Sequence, residues 1–421
     1  MRAIFCAYDG SGHLNGPNVW LRRLLPALRT RGIDAQALFL LSGPPEQCPT
    51  LQALERAGVP CRAAPPMRTT EERVRWLVLS LMQMQPDVLV PNVVLPAYYA
   101  ARWARAAGVP TVGVIHSDDP FHHALIERFV CGRPEDQLSA LVCVSQSLEA
   151  QAHKQALLVS RRPQIVRIPC GVPLPQAQAQ PPAERFRMIY VGRLVDEQKR
   201  ASDVARALVA ATRAIPGAEA VMYGEGHARP AIEAMLAQAD APVRLGGALA
   251  PEAVQAAMLD AHALVLLSDY EGLPIALMEA MSCGVVPICS PMRSGIAELV
   301  TDDVNGMIAP DRAEGFVAKA SQLRQDVALW QRMSAVARAT IATNYSDQAA
   351  TMRWAALLGE LGRARSPGII SPPVRLDLPH YHDAFAREDQ RGPYAVAEAL
   401  RRARVALGEL RRELPHMKLS R

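Results

Sequence analysis

Two glutamates that follow a short apolar run are the side chains of this chain best suited to chemistry. Glu271 comes shortly after the apolar residues 263–267, and Glu279 lies eight residues further along. A short apolar run bounded by polar residues predicts a buried parallel strand. Because ligands collect at the carboxyl ends of such strands, the two carboxylates are candidates for contacting a substrate. Two solvated surface glutamates are the alternative.

A loop and a helix would position these carboxylates. The predicted loop consists of Gly272, Leu273 and Pro274. Residues 275–282 then predict a helix that ends near Gly284, a residue suited to a left-handed cap. In one continuous helix a spacing of eight would leave the two side chains about 80° apart. With Glu271 in the loop and Glu279 in the helix, both can face one pocket, which the unpaired N–H groups of the helix would make suitable for phosphate.

Cations that could neutralise a phosphate occur earlier in the chain. Arg193 follows the strand-like residues 188–191, and Lys199 lies six residues later, beside Arg200. Arginine offers a planar fork of donors for a diphosphate, and lysine adds a compact charge. Arg200 competes with Lys199 for this role, and a pair of solvated surface cations is the alternative.

Three further turns follow predicted strands. The glycine-rich loop at residues 9–16, which contains Gly12, joins the predicted strand 2–7 to a helix and could bring backbone N–H groups close to a phosphate or sugar. Gly224 and Glu225 follow the predicted strand 220–223, and His116 follows the predicted strand 111–115.

Four side chains close to His116 could hold a metal. These residues are Asp118, Asp119, His122 and His123. Because no Asp-x-Asp triplet occurs and neighbouring ligand-type residues are common by chance, we expect no metal site.

Length and composition predict a globular protein with two domains. A chain of 421 residues exceeds the size at which one core stops growing. Aromatic residues make up only 5%, which argues against a stacking surface for nucleic acid, and the net charge of +5 is modest. The eight cysteines include no CxxC pair, and no apolar run reaches the roughly 20 residues needed to cross a bilayer. We therefore expect a cytoplasmic protein.

Strand-like and helix-like segments alternate along the chain, which predicts parallel doubly wound sheets. Residues 173–186 are rich in Pro, Gln and Ala and predict a linker. The expected division is an N-terminal domain of residues 1–172, a C-terminal domain of residues 187–361 and an extension of residues 362–421. Within the extension, residues 395–414 predict a basic amphipathic helix that either packs on protein or contacts an anionic membrane surface.

The region after residue 268 resembles a known family. The motifs that carry the resemblance are Glu271-Gly272-Leu273-Pro274, Glu279-Ala280-Met281, Gly284-Val285-Val286-Pro287 and Asn305-Gly306. In order and spacing they are similar to the C-terminal signature of the retaining glycosyltransferases of family 4, whose two glutamates are separated by seven residues. The resemblance implies an α/β protein of the GT-B fold, with two facing Rossmann-like domains and a helical C-terminal extension.

The resemblance also implies roles for the candidate residues. Glu271 would contact the transferred sugar and stabilise positive charge at its anomeric carbon, while Glu279 would hold the ribose hydroxyls. Arg193, Lys199 and the N-terminus of the helix after Gly272, Leu273 and Pro274 would neutralise the leaving diphosphate, so that no metal or other cofactor is needed. His116 would lie close to the transferred sugar. The loop that contains Gly12, and the turn of Gly224 and Glu225, would contact the donor.

The implied reaction moves a sugar from a UDP- or GDP-sugar in the C-terminal domain to a hydroxyl acceptor in the N-terminal domain. The expected acceptor is a glycan or lipid-linked glycan of a bacterial surface polysaccharide. Three alternatives remain at this stage: a nucleotide-sugar epimerase, a hydrolase that uses Glu271 and Glu279 as an acid and base pair, and a non-catalytic nucleotide-sugar scaffold or sensor.

Overall fold

The computed structural model describes residues 1–11, 15–157, 159–160, 162–292, 295–365 and 368–391. The predicted donor contact Gly12 and the predicted amphipathic helix of residues 395–414 lie outside these ranges. Their predictions therefore stand as they were made from the sequence.

Strands and helices alternate through the first half of the chain because apolar runs of four to eight residues are separated by amphipathic segments. The strands are β1 (Arg2–Asp9), β2 (Asp34–Leu41), β3 (Cys61–Ala63), β4 (Val88–Asn92), β5 (Thr111–Ile115), β6 (Ala140–Cys143) and β7 (Gln164–Arg167). The helices are α1 (Gly16–Arg29), α2 (Pro49–Arg56), α3 (Thr70–Met84), α4 (Leu95–Ala106), α5 (Pro120–Phe129) and α6 (Gln146–Ala156).

The second half repeats this alternation and ends in three consecutive helices. The strands are β8 (Phe186–Val191), β9 (Ala218–Tyr223), β10 (Val243–Gly247), β11 (Ala263–Leu266), β12 (Val286–Cys289) and β13 (Met307–Ile308). The helices are α7 (Ala201–Ala214), α8 (Arg229–Gln238), α9 (Pro251–Leu259), α10 (Ile275–Ser282), α11 (Ile296–Leu299), α12 (Glu314–Gln325), α13 (Val327–Asn344) and α14 (Asp347–Arg363).

The strands form two parallel sheets in the described part of the chain. One has the order β3-β2-β1-β4-β5-β6-β7 and the other the order β10-β9-β8-β11-β12-β13. In both, the strand order reverses next to the first strand of the sheet, which is the arrangement of a doubly wound fold. The predicted α/β class with two doubly wound sheets is confirmed. Ligand-binding residues are expected beyond the carboxyl ends of β1 and β4 in one sheet, and of β8 and β11 in the other.

The sequence predicts that residues 316–358 are helical, and helices α12, α13 and α14 cover this stretch. Asp326 and Ser346 accept hydrogen bonds from backbone N–H groups and begin α13 and α14. The division that places residues up to 361 in the C-terminal domain stays a prediction. Helix α14 contacts the first domain, where Trp354 lies 6.0 Å from Phe5 and 5.4 Å from Trp20, measured between ring centroids.

Residues 368–391 also pack on the first domain. The hydroxyl of Tyr99 on α4 donates to Asp389 Oδ2 at 2.9 Å, and Arg391 donates to the same carboxylate from its Nη2 at 2.9 Å. The Asp389 side chain is fully buried, and Phe385 lies 5.4 Å from Phe121 of α5. Buried charge therefore fixes the described part of the extension to α4 and α5.

Replacing Asp389 with alanine should release this segment. The change leaves the largely buried Arg391 guanidinium without its carboxylate, and loss of one partner of a buried ion pair costs about 3–5 kcal/mol. Hydrogen exchange measured by mass spectrometry should show faster exchange in peptides from residues 380–391. The matched control is Asp377→Ala, which removes a more exposed pair with Arg102 and should cost less than about 1 kcal/mol. Equal exchange in the two variants would contradict this account.

Candidate functional site

The predicted residues Glu271 and Lys199 form an ion pair at the carboxyl edge of the second sheet. Lys199 Nζ donates to Glu271 Oε1 at 2.5 Å, and Ser268 Oγ donates to the same oxygen at 2.7 Å. The side chains of Lys199 and Glu271 are only 16% and 7% exposed. The structure therefore holds the Glu271 carboxylate in a fixed position between a cation and a hydroxyl.

Arg193 joins this cluster through an intervening glutamine. Arg193 Nη2 donates to Gln198 Oε1 at 2.6 Å, and Gln198 Nε2 donates to the Tyr270 carbonyl oxygen at 3.1 Å. Arg200, the competitor for the role of Lys199, turns away and pairs with Asp203. The turn that carries Arg193 and the loop that carries Glu271 are thus tied together, with Lys199 as the cation at the carboxylate.

The loop before α10 meets the first domain. A Cβ at Gly272 would overlap the backbone carbonyl oxygen of His116 and lie 2.9 Å from Ser117 Cα. Pro274 is the N-cap residue of α10, where no side chain caps the helix, and Leu273 is buried. The first backbone N–H groups of α10 are therefore free of a side-chain cap, and they lie close to the point where the two domains meet. Such N–H groups can bind an anion.

Glu279 lies on α10 at a separate cavity between the domains. Its carboxylate accepts a hydrogen bond from Arg23 on α1. Arg22 on the same helix donates to Glu252 Oε1 at 2.6 Å. A cavity of about 370 Å³ is lined by these four side chains among others, and Glu271 is not one of its lining residues. Glu271 and Glu279 thus have different partners, Lys199 at the sheet edge and Arg23 at the cavity.

The turn of Gly224 and Glu225 packs directly on the turn that carries Arg193. Gly224 has a φ of +146°, and any Cβ there would overlap the Gly192 carbonyl oxygen. The backbone N–H of Leu194 donates to the Glu225 carbonyl oxygen at 2.8 Å. The side chain of Glu225 is exposed and pairs with Arg229. Only glycine fits at position 224, and the turn supports the predicted diphosphate site.

His116 is held neutral in a largely buried position. Its Nε2 lies 2.8 Å from Asn92 Oδ1, and its ring packs on Trp20 with 5.1 Å between centroids. Burial lowers the pKa of His116 to about 3, and the nearby His122 adds to the shift. With Nε2–H donating to Asn92, Nδ1 is left as an acceptor for a substrate hydroxyl.

Because burial lowers the pKa of His116, stability should fall in acid. The unfolded state binds a proton near pH 6.5, whereas the folded state does not until about pH 3, so folded-state stability is full above pH 6.5 and is lost as the pH falls through this window. Between pH 7 and pH 5 this residue should account for a loss of about 2 kcal/mol. Chemical denaturation at both pH values should show a smaller loss for His116→Gln. Identical losses in the variant and the wild type would contradict the prediction.

The candidate metal ligands near His116 have other partners. Asp119 Oδ1 accepts from the backbone N–H of His122 at 3.0 Å and lies 2.8 Å from His122 Nδ1, so Asp119 caps α5. Asp118 Oδ1 lies 2.6 Å from His123 Nε2. Within the described ranges no cluster of three or more His, Cys, Asp and Glu side chains has the geometry to hold a metal ion.

Several residues of the site do not emerge from the sequence analysis. Arg23, Asn92 and Gln198 each contact a predicted site residue from another element. Asn92 is a polar residue at the end of an otherwise apolar strand, with a φ of +55°, and this position could have identified it. Arg23 lies on a regular amphipathic helix, where no local pattern distinguishes it from other arginines. Across the described ranges, no helix combines the length and the apolar character needed to cross a membrane.

Two family models match consecutive parts of the chain. Residues 14–175 match the model described as Glycosyltransferase Family 4, and residues 175–340 match the model described as Glycosyl transferases group 1. Together the two models span residues 14–340, which is most of the chain.

Curated relatives match over shorter segments. The amylovoran biosynthesis glycosyltransferase AmsK of Erwinia amylovora is 37% identical over 22% of this chain and 23% of its own length. The lipopolysaccharide 1,6-galactosyltransferase of Escherichia coli K12 is 28% identical over 56% of this chain and 65% of its own length. The chain thus spans between about a quarter and two thirds of these curated relatives.

Solved structures share the fold over most of the chain. Anabaena Alr3699/HepE, solved with UDP, has a TM-score of 0.66 at 18% identity and covers 86% of this chain and 100% of its own. The pneumococcal O-GlcNAc transferase GtfA, solved with UDP and GlcNAc, has a TM-score of 0.70 at 12% identity and covers 86% of this chain and 99% of its own. The predicted GT-B fold is confirmed.

Proposed function

We propose that this chain, which belongs to the family 4 glycosyltransferases of group 1, transfers a sugar from a UDP- or GDP-sugar to a hydroxyl acceptor with retention of anomeric configuration. The observation that carries the proposal is the fixed pair of Lys199 and Glu271 beside the uncapped N-terminus of α10. In this arrangement a positive charge can stabilise the leaving diphosphate, and a carboxylate can contact the transferred sugar.

The proposed reaction uses this chain's residues in distinct roles. Arg193, Lys199 and the first N–H groups of α10 stabilise the charge that develops on the diphosphate as its bond to the anomeric carbon breaks. Glu271 stabilises the positive charge on the anomeric carbon. The acceptor oxygen bonds to that carbon on the face that the phosphate leaves, and the acceptor proton passes to the departing phosphate oxygen. The positive charge needed comes from these groups, so we propose a reaction without a metal.

Glu279 is proposed to accept hydrogen bonds from the ribose hydroxyls of the donor. Glu279 lies on α10, the helix whose N-terminus would bind the diphosphate. It also lines a cavity between the domains. The turn of Gly224 and Glu225 is proposed to contact the rest of the nucleotide. The UDP complexes of Anabaena HepE and pneumococcal GtfA, which share this fold, favour UDP as the nucleotide.

The proposed acceptor is a glycan or lipid-linked glycan of a bacterial surface polysaccharide. The similarity to the amylovoran glycosyltransferase AmsK and to the lipopolysaccharide galactosyltransferase supports this class. We propose that the reaction takes place in the cytoplasm, because all eight cysteines are free in the structure. Contact of residues 395–414 with an anionic membrane surface remains part of the proposal.

The donor assignment is tested by thermal stabilisation with UDP-, GDP-, ADP- and TDP-sugars. One nucleotide should stabilise the wild type selectively, by about 2.7 kcal/mol at a hundredfold excess over the dissociation constant. Glu279→Ala should weaken its binding by about 10- to 100-fold, because hydrogen bonds to a charged group contribute about 1.5–3 kcal/mol.

The matched control is Glu252→Ala. Glu252 lines the same cavity and pairs with the neighbouring Arg22, but its side chain is 72% exposed and it is proposed to make no donor contact. Binding should therefore stay within a few-fold of the wild type. Flat curves for the folded wild type across the whole panel would overturn the donor assignment.

A further inference from the structure

A second cavity lies on the first domain, and none of Arg193, Lys199, Glu271 and Glu279 lines it. Its volume is about 320 Å³, at the lower end of the range of ligand pockets. It opens at the carboxyl ends of β1, β2 and β4, where Asp9, Leu41 and Val93 line it. This edge of a doubly wound sheet is where ligands bind. Asp9 and Asn15 belong to the loop of residues 9–16, which is the one predicted donor contact that reaches this cavity among the described residues.

The C-terminal extension supplies one wall of this cavity. Arg387 and Glu388 line it, and they belong to the segment that Asp389 and Tyr99 fix to α4. Arg73 of α3, another lining residue, donates to Gln390 Oε1 at 3.1 Å. Both family models end before this segment, at residue 340 at the latest. The wall therefore lies outside the matched family regions.

The lining fits an uncharged sugar ring. The cavity is lined by two arginines and two carboxylates, namely Arg73, Arg387, Asp9 and Glu388. Their charges balance, so the cavity does not favour a ligand of either charge. Leu41, Met67 and the ring of Tyr8 form an apolar surface beside them. Charged donors and acceptors next to an apolar surface can bind the hydroxyl groups and the C–H face of a saccharide.

Asp9 provides a buried acceptor for such a ligand. Its Oδ2 accepts from the backbone N–H groups of Thr50 and Leu51, both at 2.8 Å. Its Oδ1 is buried and has no hydrogen-bond partner among the described residues. A ligand hydroxyl that donates to this oxygen would satisfy it.

The cavity borders the proposed reaction centre. Val93 follows Asn92, the residue that bonds to His116. Burial raises the pKa of Glu388, and the charge of Asp119, three residues after His116, adds to the rise. The extension also packs on α5 through Phe385 and Phe121. A ligand in the cavity would thus lie next to the loop that Gly272 contacts.

From these contacts we infer that residues 368–391 complete a binding site for one neutral sugar unit of the acceptor, with Arg387 and Glu388 selecting that sugar. The identification of this sugar as part of the acceptor rests on the proposed function. The site itself stands on the cavity, the balanced charges and the unpartnered Asp9 oxygen. The extension is then a specificity element for the acceptor and leaves the donor site unchanged.

Saturation-transfer NMR on the full chain tests this inference, with methyl glycosides of glucose, galactose and mannose in both anomeric forms as probes. At least one glycoside should bind to the wild type. The double variant Arg387→Ala, Glu388→Gln should bind it at least about tenfold more weakly, since it loses hydrogen bonds to two charged groups. The matched control is Arg375→Ala, an exposed arginine of the same extension that does not line the cavity, and its binding should match the wild type.

UDP binding measured on the same samples separates the two proposals. If UDP binds but no glycoside does, or if the double variant binds the glycoside as well as the wild type, the acceptor-site inference is overturned while the donor assignment stands. If the glycoside binds and the double variant loses it while neither UDP nor GDP binds to the wild type, the sugar site stands and the proposed transferase function fails.

Discussion

Lys199→Ala should lower the turnover of the donor sugar by about 10²–10³-fold, the loss typical of removing one group that stabilises transition-state charge. Lys199 is the largely buried cation that contacts Glu271, and it is proposed to act on the leaving diphosphate. The variant removes this charge and leaves the Glu271 carboxylate with only the Ser268 hydroxyl as a side-chain partner among the described residues. Rates of UDP release with the donor selected by the stabilisation panel measure the effect.

Arg200→Ala is the matched control for this prediction. Arg200 is adjacent in sequence and equally cationic, but it pairs with Asp203 rather than with Glu271. Its replacement should change turnover by no more than a few-fold. Glu271→Gln combined with Lys199→Ala should cost less than the sum of the two single changes, because the residues act as a pair. Equal losses for Lys199→Ala and Arg200→Ala would contradict the assigned role.

Gly272→Ala should reduce turnover by about 10²-fold with little change in UDP affinity. An added Cβ would overlap the His116 carbonyl oxygen, so the two domains would have to move apart at the reaction centre. A misplacement of about 1 Å between reacting groups can cost this much in rate. Lys199 and the N-terminus of α10 stay on one side of the gap, and so the donor should still bind.

Gly43→Ala is the control for Gly272→Ala, because no atom lies within 4 Å of a Cβ built at Gly43. It should leave turnover near the wild-type value. The readouts are kcat for transfer and the thermal shift with UDP. Wild-type kcat in Gly272→Ala would show that the close approach of the two loops plays no part in the reaction.

Local sequence patterns were sufficient to predict most of the elements that carry the site. The predicted strand 111–115 and the predicted helix 275–282 agree with β5 and α10 to the residue, because proline precedes each of them and marks where it begins. The sequence analysis does not predict helix α5, because Asp119, which caps this helix, is also a ligand-type residue and does not by itself indicate a helix start. The division between α12, α13 and α14 depends on capping by Asp326 and Ser346, which helical periodicity does not reveal.

The long-range contacts of the site could not be predicted in the same way. Arg23 contacts Glu279, which lies 256 residues later in the sequence, and Tyr99 contacts Asp389, which lies 290 residues later. Both contacts join separate domains or segments, so their partners have no sequence spacing that could indicate them. By contrast, Lys199 and Glu271 follow neighbouring strands β8 and β11 of one parallel sheet, and this topology brings them to the same edge.

The contact between the domains connects these findings. The loop before α10 touches the His116 loop, α14 crosses back to the first domain, and Arg23 pairs with Glu279. Each contact fixes donor-side residues relative to the first domain. Reacting groups held in place in this way need less reorganisation during transfer, which is the physical advantage of a site built between two rigid sheets.

A crystal structure of the full chain with UDP is the most direct test of the central claim that Lys199, Glu279 and α10 form a donor site. The account predicts diphosphate oxygens within hydrogen-bonding distance of Lys199 Nζ and of the first N–H groups of α10, and a ribose hydroxyl within that distance of the Glu279 carboxylate. UDP bound elsewhere on the molecule, with the Lys199–Glu271 and Arg23–Glu279 pairs untouched by ligand, would contradict it.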